Sequence, residues 1–195
     1  MIEISSNIKD VTGAVRDIAG QIPFATAKAL NQTARGVQAA EITNLQERLT
    51  VRTDWWKPGR AMGINIRFAS KTHQEATVGS RAPWLQFQEL GGTKVPSKKA
   101  LAVAIVGGAR PSFTSPIPRG NMPRRLRDTF VKTSPSGALS IFQRVGKGIR
   151  RMFGLIASGR IKAVLGYKDS GEAVVARTYE ANFEKAYAEA IRSAK

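Results

Sequence analysis

The chain has 195 residues, about the length of one domain with an elaboration. Apolar residues make up 42%, enough for a packed core, which excludes a disordered tail or a low-complexity linker. Thirty-one Lys and Arg against 14 Asp and Glu leave a formal charge of +17, and zero Cys excludes disulfides and thiolate metal sites.

Ile4, Ile8, Val11, Val15, Ile18 and Ile22 step by four or three, the spacing of one apolar helical stripe, with Ser6 or Asn7 as cap and Gly20 as its end. This helix packs on its own domain or docks on a neighbouring subunit. Pro23 suits the first turn of a second, long helix running to Leu49. Ala27, Leu30, Ala34 and Val37 form its stripe, and Ile42, Leu45 and Leu49 continue it on a rotated face.

Strands follow. Ile64, Ile66 and Phe68 alternate with polar or small residues, as in a half-buried strand, and Ala76 and Val78 suit a return strand. Trp84 to Phe87 is a short apolar piece closed by Gly91-Gly92. Leu101 to Val106 is wholly apolar and reads as a strand buried on both faces. Residues 107–123 form a Pro- and Gly-rich loop, longer than a compact domain keeps without a purpose.

Met122 to Val131 reads as a short helix displaying Arg124, Arg125 and Arg127, and Ser134 to Gly137 as a turn. Residues 141–145 and 151–156 read as a hairpin around Gly146-Lys147-Gly148, and Ile161 to Leu165 as one more strand. Val175, Tyr179, Phe183, Ala186, Tyr187, Ala190 and Ile191 share one face of a closing helix over Glu172–Ala194. The predicted class is α+β: one domain over 1–195, a mostly antiparallel sheet with long helices near the N-terminus and at the C-terminus packed on it.

Met1-Ile2-Glu3-Ile4 lacks the charged and apolar regions of a signal peptide, so synthesis in the cytoplasm is expected. The longest apolar run, Ala100 to Val106, is seven residues, against the ~20 that span a bilayer. Residues 61–170 hold 19 basic and four acidic side chains, while the two ends are nearly neutral. Charge of that density repels itself and implies an anionic neighbour, either nucleic acid or acidic protein.

Catalytic material is scarce. His73, the only imidazole, lies in a polar turn, and no nucleophile pattern accompanies it. Glu75 and Glu89 form a carboxylate pair only if the fold joins them, and no His, Cys or carboxylate cluster suits a metal. Gly146-Lys147-Gly148 is not a dinucleotide loop, because Arg151 stands where that fingerprint needs its third glycine. The basic clusters are Lys98-Lys99, Arg124-Arg125-Arg127, and Arg144, Lys147, Arg150 and Arg151. They suit phosphate contact, yet no recognition helix, zinc finger or aromatic RNA platform accompanies them.

Several stretches resemble a known family. Ile22-Pro23-Phe24-Ala25-Thr26-Ala27-Lys28-Ala29-Leu30-Asn31-Gln32-Thr33-Ala34 is similar to the opening helix of the minor tail protein Z family of long-tailed bacteriophages. Phe142-Gln143-Arg144-Val145-Gly146-Lys147 resembles its hairpin, and Phe183 to Ile191 its closing helix. Trp84 to Thr93 resembles the aromatic-then-Glu-x-Gly-Thr segment of the wider tail-completion group, with one extra glycine.

The resemblance implies a non-enzymatic virion protein of the tail or neck, made in the host cytoplasm. Such proteins form rings, commonly hexameric, at the head-proximal end of the tail, which they complete and join to the head for DNA passage. The expected partners are its own copies, neighbouring tail or neck proteins and viral DNA, with no cofactor, metal or membrane. Arg124, Arg125, Arg127, Arg144, Lys147, Arg150 and Arg151 are the expected contacts to DNA or an acidic partner. Pro111, Pro116 and Pro118 are expected in an arm reaching the next subunit. The alternative is a free, non-specific nucleic-acid-binding protein.

Overall fold

The computed structural model describes residues 8–133 and 137–193. In chain order these form α1 (Ile8–Arg48), β1 (Asn65–Arg67), β2 (Thr77–Gly79), α2 (Leu85–Leu90), β3 (Gly92–Lys94), β4 (Leu101–Ala104), β5 (Thr129–Thr133), β6 (Leu139–Val145), β7 (Gly148–Ile156), β8 (Gly159–Ile161) and α3 (Tyr167–Ser193). The class is α+β, and every pairing between these strands is antiparallel. The chain divides into two compact units: 1–45 with 55–81 and 166–195, and 46–54 with 82–165.

The first unit is built on α1 and α3. Ala25, Ala29, Thr33, Val37, Glu41 and Leu45 are buried at strict four-residue intervals, one ridge along α1. On α3, Val174, Ala186 and Ala190 are buried on a matching row. Ala25 and Ala29 pack with Ala186 and Ala190, flanked by Tyr179, Phe183 and Tyr187. The Asn182 amide donates to Thr33 Oγ1 (3.0 Å) further along. At the far end a Cβ on Gly171 would lie 3.6 Å from Val37. Small residues at these points are what let the two backbones approach.

Two expectations change here. Gly20 does not end a helix and Pro23 does not begin one, because α1 runs through both. Gly20 lacks the left-handed φ of a glycine stop. Pro23 removes one backbone donor without breaking the run, and Thr26 Oγ1 donates to the Ile22 carbonyl beside it (2.9 Å). The side chains of Ile4, Ile8, Val11, Val15 and Ile18 lie outside the described residues. On α3, Val174 rather than Val175 is buried. Val175 instead lines an apolar groove of about 570 Å³ with Leu30, Val78 and Tyr179.

Polar side chains of α1 dock the β1–β2 ribbon. Asn31 donates to the Ala69 carbonyl (3.0 Å) and accepts from the Ala69 N–H (2.7 Å), as a neighbouring strand would. Gln38 donates to the Ile64 carbonyl (2.7 Å). Ile64 is fully buried, whereas Phe68, expected on the same inward face, is exposed under the Arg35 guanidinium.

Lys28 on α1 pairs with Glu189 on α3. The hydrogen bond from Lys28, then its charge, holds the Glu189 carboxyl below its ordinary range. A depressed folded-state pKa contributes stability that is complete above the unfolded-state value and lost as pH falls through the folded one. We therefore expect acid to loosen this contact and Glu189→Gln to flatten that dependence. A carboxyl NMR titration checks it, and a Glu189 midpoint at the ordinary value contradicts it.

The second unit holds a four-stranded sheet in the order β4-β7-β6-β5 and a small β3–β8 pair. The predicted hairpin is β6–β7, turned by Gly146 and Lys147, with Gly146 at φ 58°. A bulge beside Ile141 and Phe142 leaves Met152 as the extra residue of β7. A bulge turns consecutive side chains toward one face, and Met152 and Phe153 are both buried. They form the unit's core with Ala109, joined by Ala104, Ile117, Leu126 and Ile141.

Leu101–Val106 is not buried on both faces. β4 is an edge strand with one partner, and Val103 and Val106 are about half exposed (47% and 51%). The predicted helix over Met122–Val131 is a turn followed by β5. Leu126 N–H bonds the Met122 carbonyl (3.1 Å), and Asp128 at φ 52° stops any helix there. Of the last predicted strand, Ile161 to Leu165, only Ile161 pairs, as the end of β8 against β3, since the Val164 and Leu165 N–H groups turn to the Gln88 carbonyl. Ser134–Ser136 lie outside the described residues.

Candidate functional site

Charge is concentrated in the second unit, which holds 17 basic and four acidic side chains against 14 and ten in the first. The register of the sheet shows where the cations go. Asp128 lies one step before β5, Phe130 pairs with Phe142, and Lys132 with Ser140. Phe142 also faces Arg151, and Arg144 faces Ile149. Since alternate residues share a face, Phe130, Lys132, Phe142, Arg144, Ile149 and Arg151 lie together on the face opposite the Phe153 core.

That face has internal order. The Phe130 and Phe142 rings stack at 5.7 Å between centroids, 17° from parallel. The Arg144 guanidinium lies over the Phe130 ring at 5.6 Å. Arg151 Nε donates to Ser140 Oγ (2.9 Å), which positions its guanidinium beside the rings. Arg144, Arg151, Lys132 and Ile149 are exposed, and both rings are half-buried. Aromatic faces interleaved with guanidinium groups offer a base a stacking surface and a phosphate a charged donor.

The other expected contacts are distributed around this sheet. Arg150 is across from Gln143 and so falls on the opposite face, and Lys147 occupies the hairpin turn. Arg124 and Arg125 are in the exposed turn after Met122, and Arg127 follows it with its carbonyl accepting from Gln143 (3.3 Å). Residues 107–123 are tied to the core by buried Ala109 and by Ile117, leaving Pro111, Pro116 and Pro118 exposed.

Sequence reading missed Phe130, Phe142 and Lys132 as members of one surface. The signal was there in the alternation of Phe130 with Lys132 and of Phe142 with Arg144. It also missed Arg52 and Arg110, which both donate to the Phe113 carbonyl (2.8 and 3.5 Å), with Arg52 over the Phe113 ring at 5.1 Å. Burial and then the Arg110 charge push Arg52 below its ordinary pKa. Arg52 thus ties the 107–123 segment to the stretch after α1, and Arg110 braces the segment from within.

Catalytic geometry does not emerge around the imidazole: His73 Nε2 stands 3.7 Å from Glu75 Oε2, both exposed in a turn. Among the described residues no group of His and carboxylates could hold a metal ion, and no helix is long and apolar enough to cross a membrane. Comparison with protein-family models, curated proteins and solved structures yields no match to this chain.

Proposed function

We propose that this chain is a structural bacteriophage virion protein of the tail or neck. It forms a ring, hexameric by family resemblance, at the head-proximal end of the tail, completes the tail, and joins it to the head while letting DNA pass. The role is non-enzymatic, and the chain is made in the host cytoplasm before joining the particle. The likeness of 22–34, 142–147 and 183–191 to the minor tail protein Z family suggests this reading. The structural observation that carries it is the net +13 of the second unit, a surface that calls for an anionic neighbour.

A head-to-tail ring needs two different surfaces on each subunit. The strands β4 and β5 supply two different open edges of one sheet. Particles made without the chain should accumulate as unjoined heads and tails in negative stain. Overlong tails would reassign it to tail termination. A labelled antibody found far from the portal vertex, or full infectivity without the chain, overturns the proposal.

The stacked Phe130–Phe142 pair beside Arg144 and Arg151 favours a second reading, a free, non-specific nucleic-acid-binding protein. In that case the purified chain binds single-stranded DNA with affinity that falls steeply with salt. Each phosphate contact contributes about 0.7 to the logarithmic salt slope for a single strand. Replacing Arg144 and Arg151 by Ala together should then reduce the slope by about 1.4. Filter binding at several salt concentrations measures this, and an unchanged slope excludes the sheet face as the contact.

A further inference from the structure

A second basic surface lies in the first unit, apart from every residue discussed above as a contact. The β1–β2 ribbon and its flanks form an open groove of about 600 Å³ lined by Arg60, Arg67 and Arg81, with Asn65, Thr77 and Ser80 between them. The turn over 57–63 builds one wall. Asn65 holds it by accepting from the Gly59 N–H (2.7 Å) and donating to the Arg60 (2.8 Å) and Gly63 (3.1 Å) carbonyls. A Cβ on Gly63 would overlap the Lys57 carbonyl, so this wall closes only with glycine there. Ser80 Oγ donates to the Met62 carbonyl (2.6 Å), which ties the end of β2 to the same turn.

Three arginines therefore line one concavity on a braced backbone. Among the described residues none of the three is paired with a carboxylate. The one acid in the 55–81 stretch is Glu75, whose Oε1 accepts from Thr77 Oγ1 (3.1 Å) while Oε2 faces His73. Like charges gathered in a cleft focus their field and raise the local concentration of anions. Guanidinium forks match phosphoryl oxygens, and three such forks exceed what one singly charged ion can satisfy. The groove is broad and open to solvent, so an anion with several linked charges can lie along it.

We propose that this groove binds linked phosphoryl groups, held by Arg60, Arg67 and Arg81. The same chemistry is presented by a free oligophosphate and by consecutive phosphates of a nucleic-acid strand. The site stands independently of the sheet face and of the virion role.

The test uses the full chain and inorganic pyrophosphate at constant ionic strength, followed by amide NMR and calorimetry. Saturable shifts are expected in Asn65–Arg67 and Thr77–Arg81. Arg67→Gln combined with Arg81→Gln should weaken binding about tenfold or more. Arg160→Gln combined with Lys162→Gln removes the same charge from the second unit and should change affinity less than about twofold. Equal weakening by both pairs, or no saturable shift in those segments, overturns the proposal. Should the first pair fail to fold, Arg60→Gln alone reads the same affinity. Competition by a short oligothymidylate identifies a strand as the source of the phosphates, and pyrophosphate binding without such competition identifies a free compound; each supports the groove.

Discussion

Phe153→Ala is expected to destabilise the second unit by about 3–5 kcal/mol, the usual range for emptying a buried phenylalanine site. Phe153 is 1% exposed and sits beside Met152 at the bulge, between Ile141 on β6 and Ala104 on β4 in the register. Its loss opens a cavity that the bulged backbone cannot close, because both β6 and β4 hydrogen-bond to β7 across it. Protection of the β6 and β7 amides against hydrogen exchange should fall by about 10²- to 10³-fold. Ile149→Ala, on the same strand but 60% exposed, should stay within about 0.5 kcal/mol. Equal effects of the two changes would contradict the placement of the core.

Gly108→Ala should cost about 3 kcal/mol, the upper end of ordinary overpacking. The chain reverses over residues 105–110: Gly108 N–H bonds the Ile105 carbonyl (3.2 Å), and Ile105 N–H bonds the Met152 carbonyl (2.9 Å). This presses Gly108 against β7, where an added Cβ would overlap the Arg151 carbonyl oxygen and come within 3.2 Å of Met152 Cα. Both obstacles are backbone, so nothing can rotate aside. Gly120, in the same segment, has open space around it and no left-handed φ, and Gly120→Ala should be nearly neutral. Urea denaturation of the two variants side by side decides the matter, and two neutral variants would refute the reversal.

The elements that were legible in the sequence are those whose periodicity is unbroken over many residues. The aromatic row of α3 carried that signal, and the Gly146-Lys147-Gly148 turn marked the β6–β7 hairpin, whereas of the stripe expected on the long helix only Val37 and Leu45 fall on the buried ridge of α1. What the pattern hid was polar. Thr33 and Glu41 complete the buried row of α1, the half-buried Asn182 bonds to Thr33 from α3, and a search for apolar stripes passes over all three. Gly20 and Pro23 look like punctuation, yet α1 runs through both, and the packing of its ridge from Ala25 onward outweighs a local cost of about 1–3 kcal/mol. Leu101–Val106 misled in the opposite sense, since its apolar run belongs to an edge strand. The Arg124 cluster was legible as charge but not as a turn, because Asp128 takes a conformation that side-chain type alone does not announce.

The basic groove had no sequence signature. Arg60, Arg67 and Arg81 are spread over 22 positions and become neighbours only because β1 and β2 pair and the 57–63 turn folds onto them. Clusters contiguous in sequence, such as Arg124-Arg125, drew attention for the opposite reason.

The division of the chain has a consequence for synthesis on the ribosome. Residues 82–165 are one uninterrupted stretch, so nearly all of the sheet-bearing unit is synthesised before residues 166–195. The unit built on the long helices is split, and its alanine seam has no second half until that final segment appears. Premature termination near residue 165 would therefore yield a chain with a complete sheet and a stranded leading helix, its small-residue ridge open to whatever nascent protein is nearest.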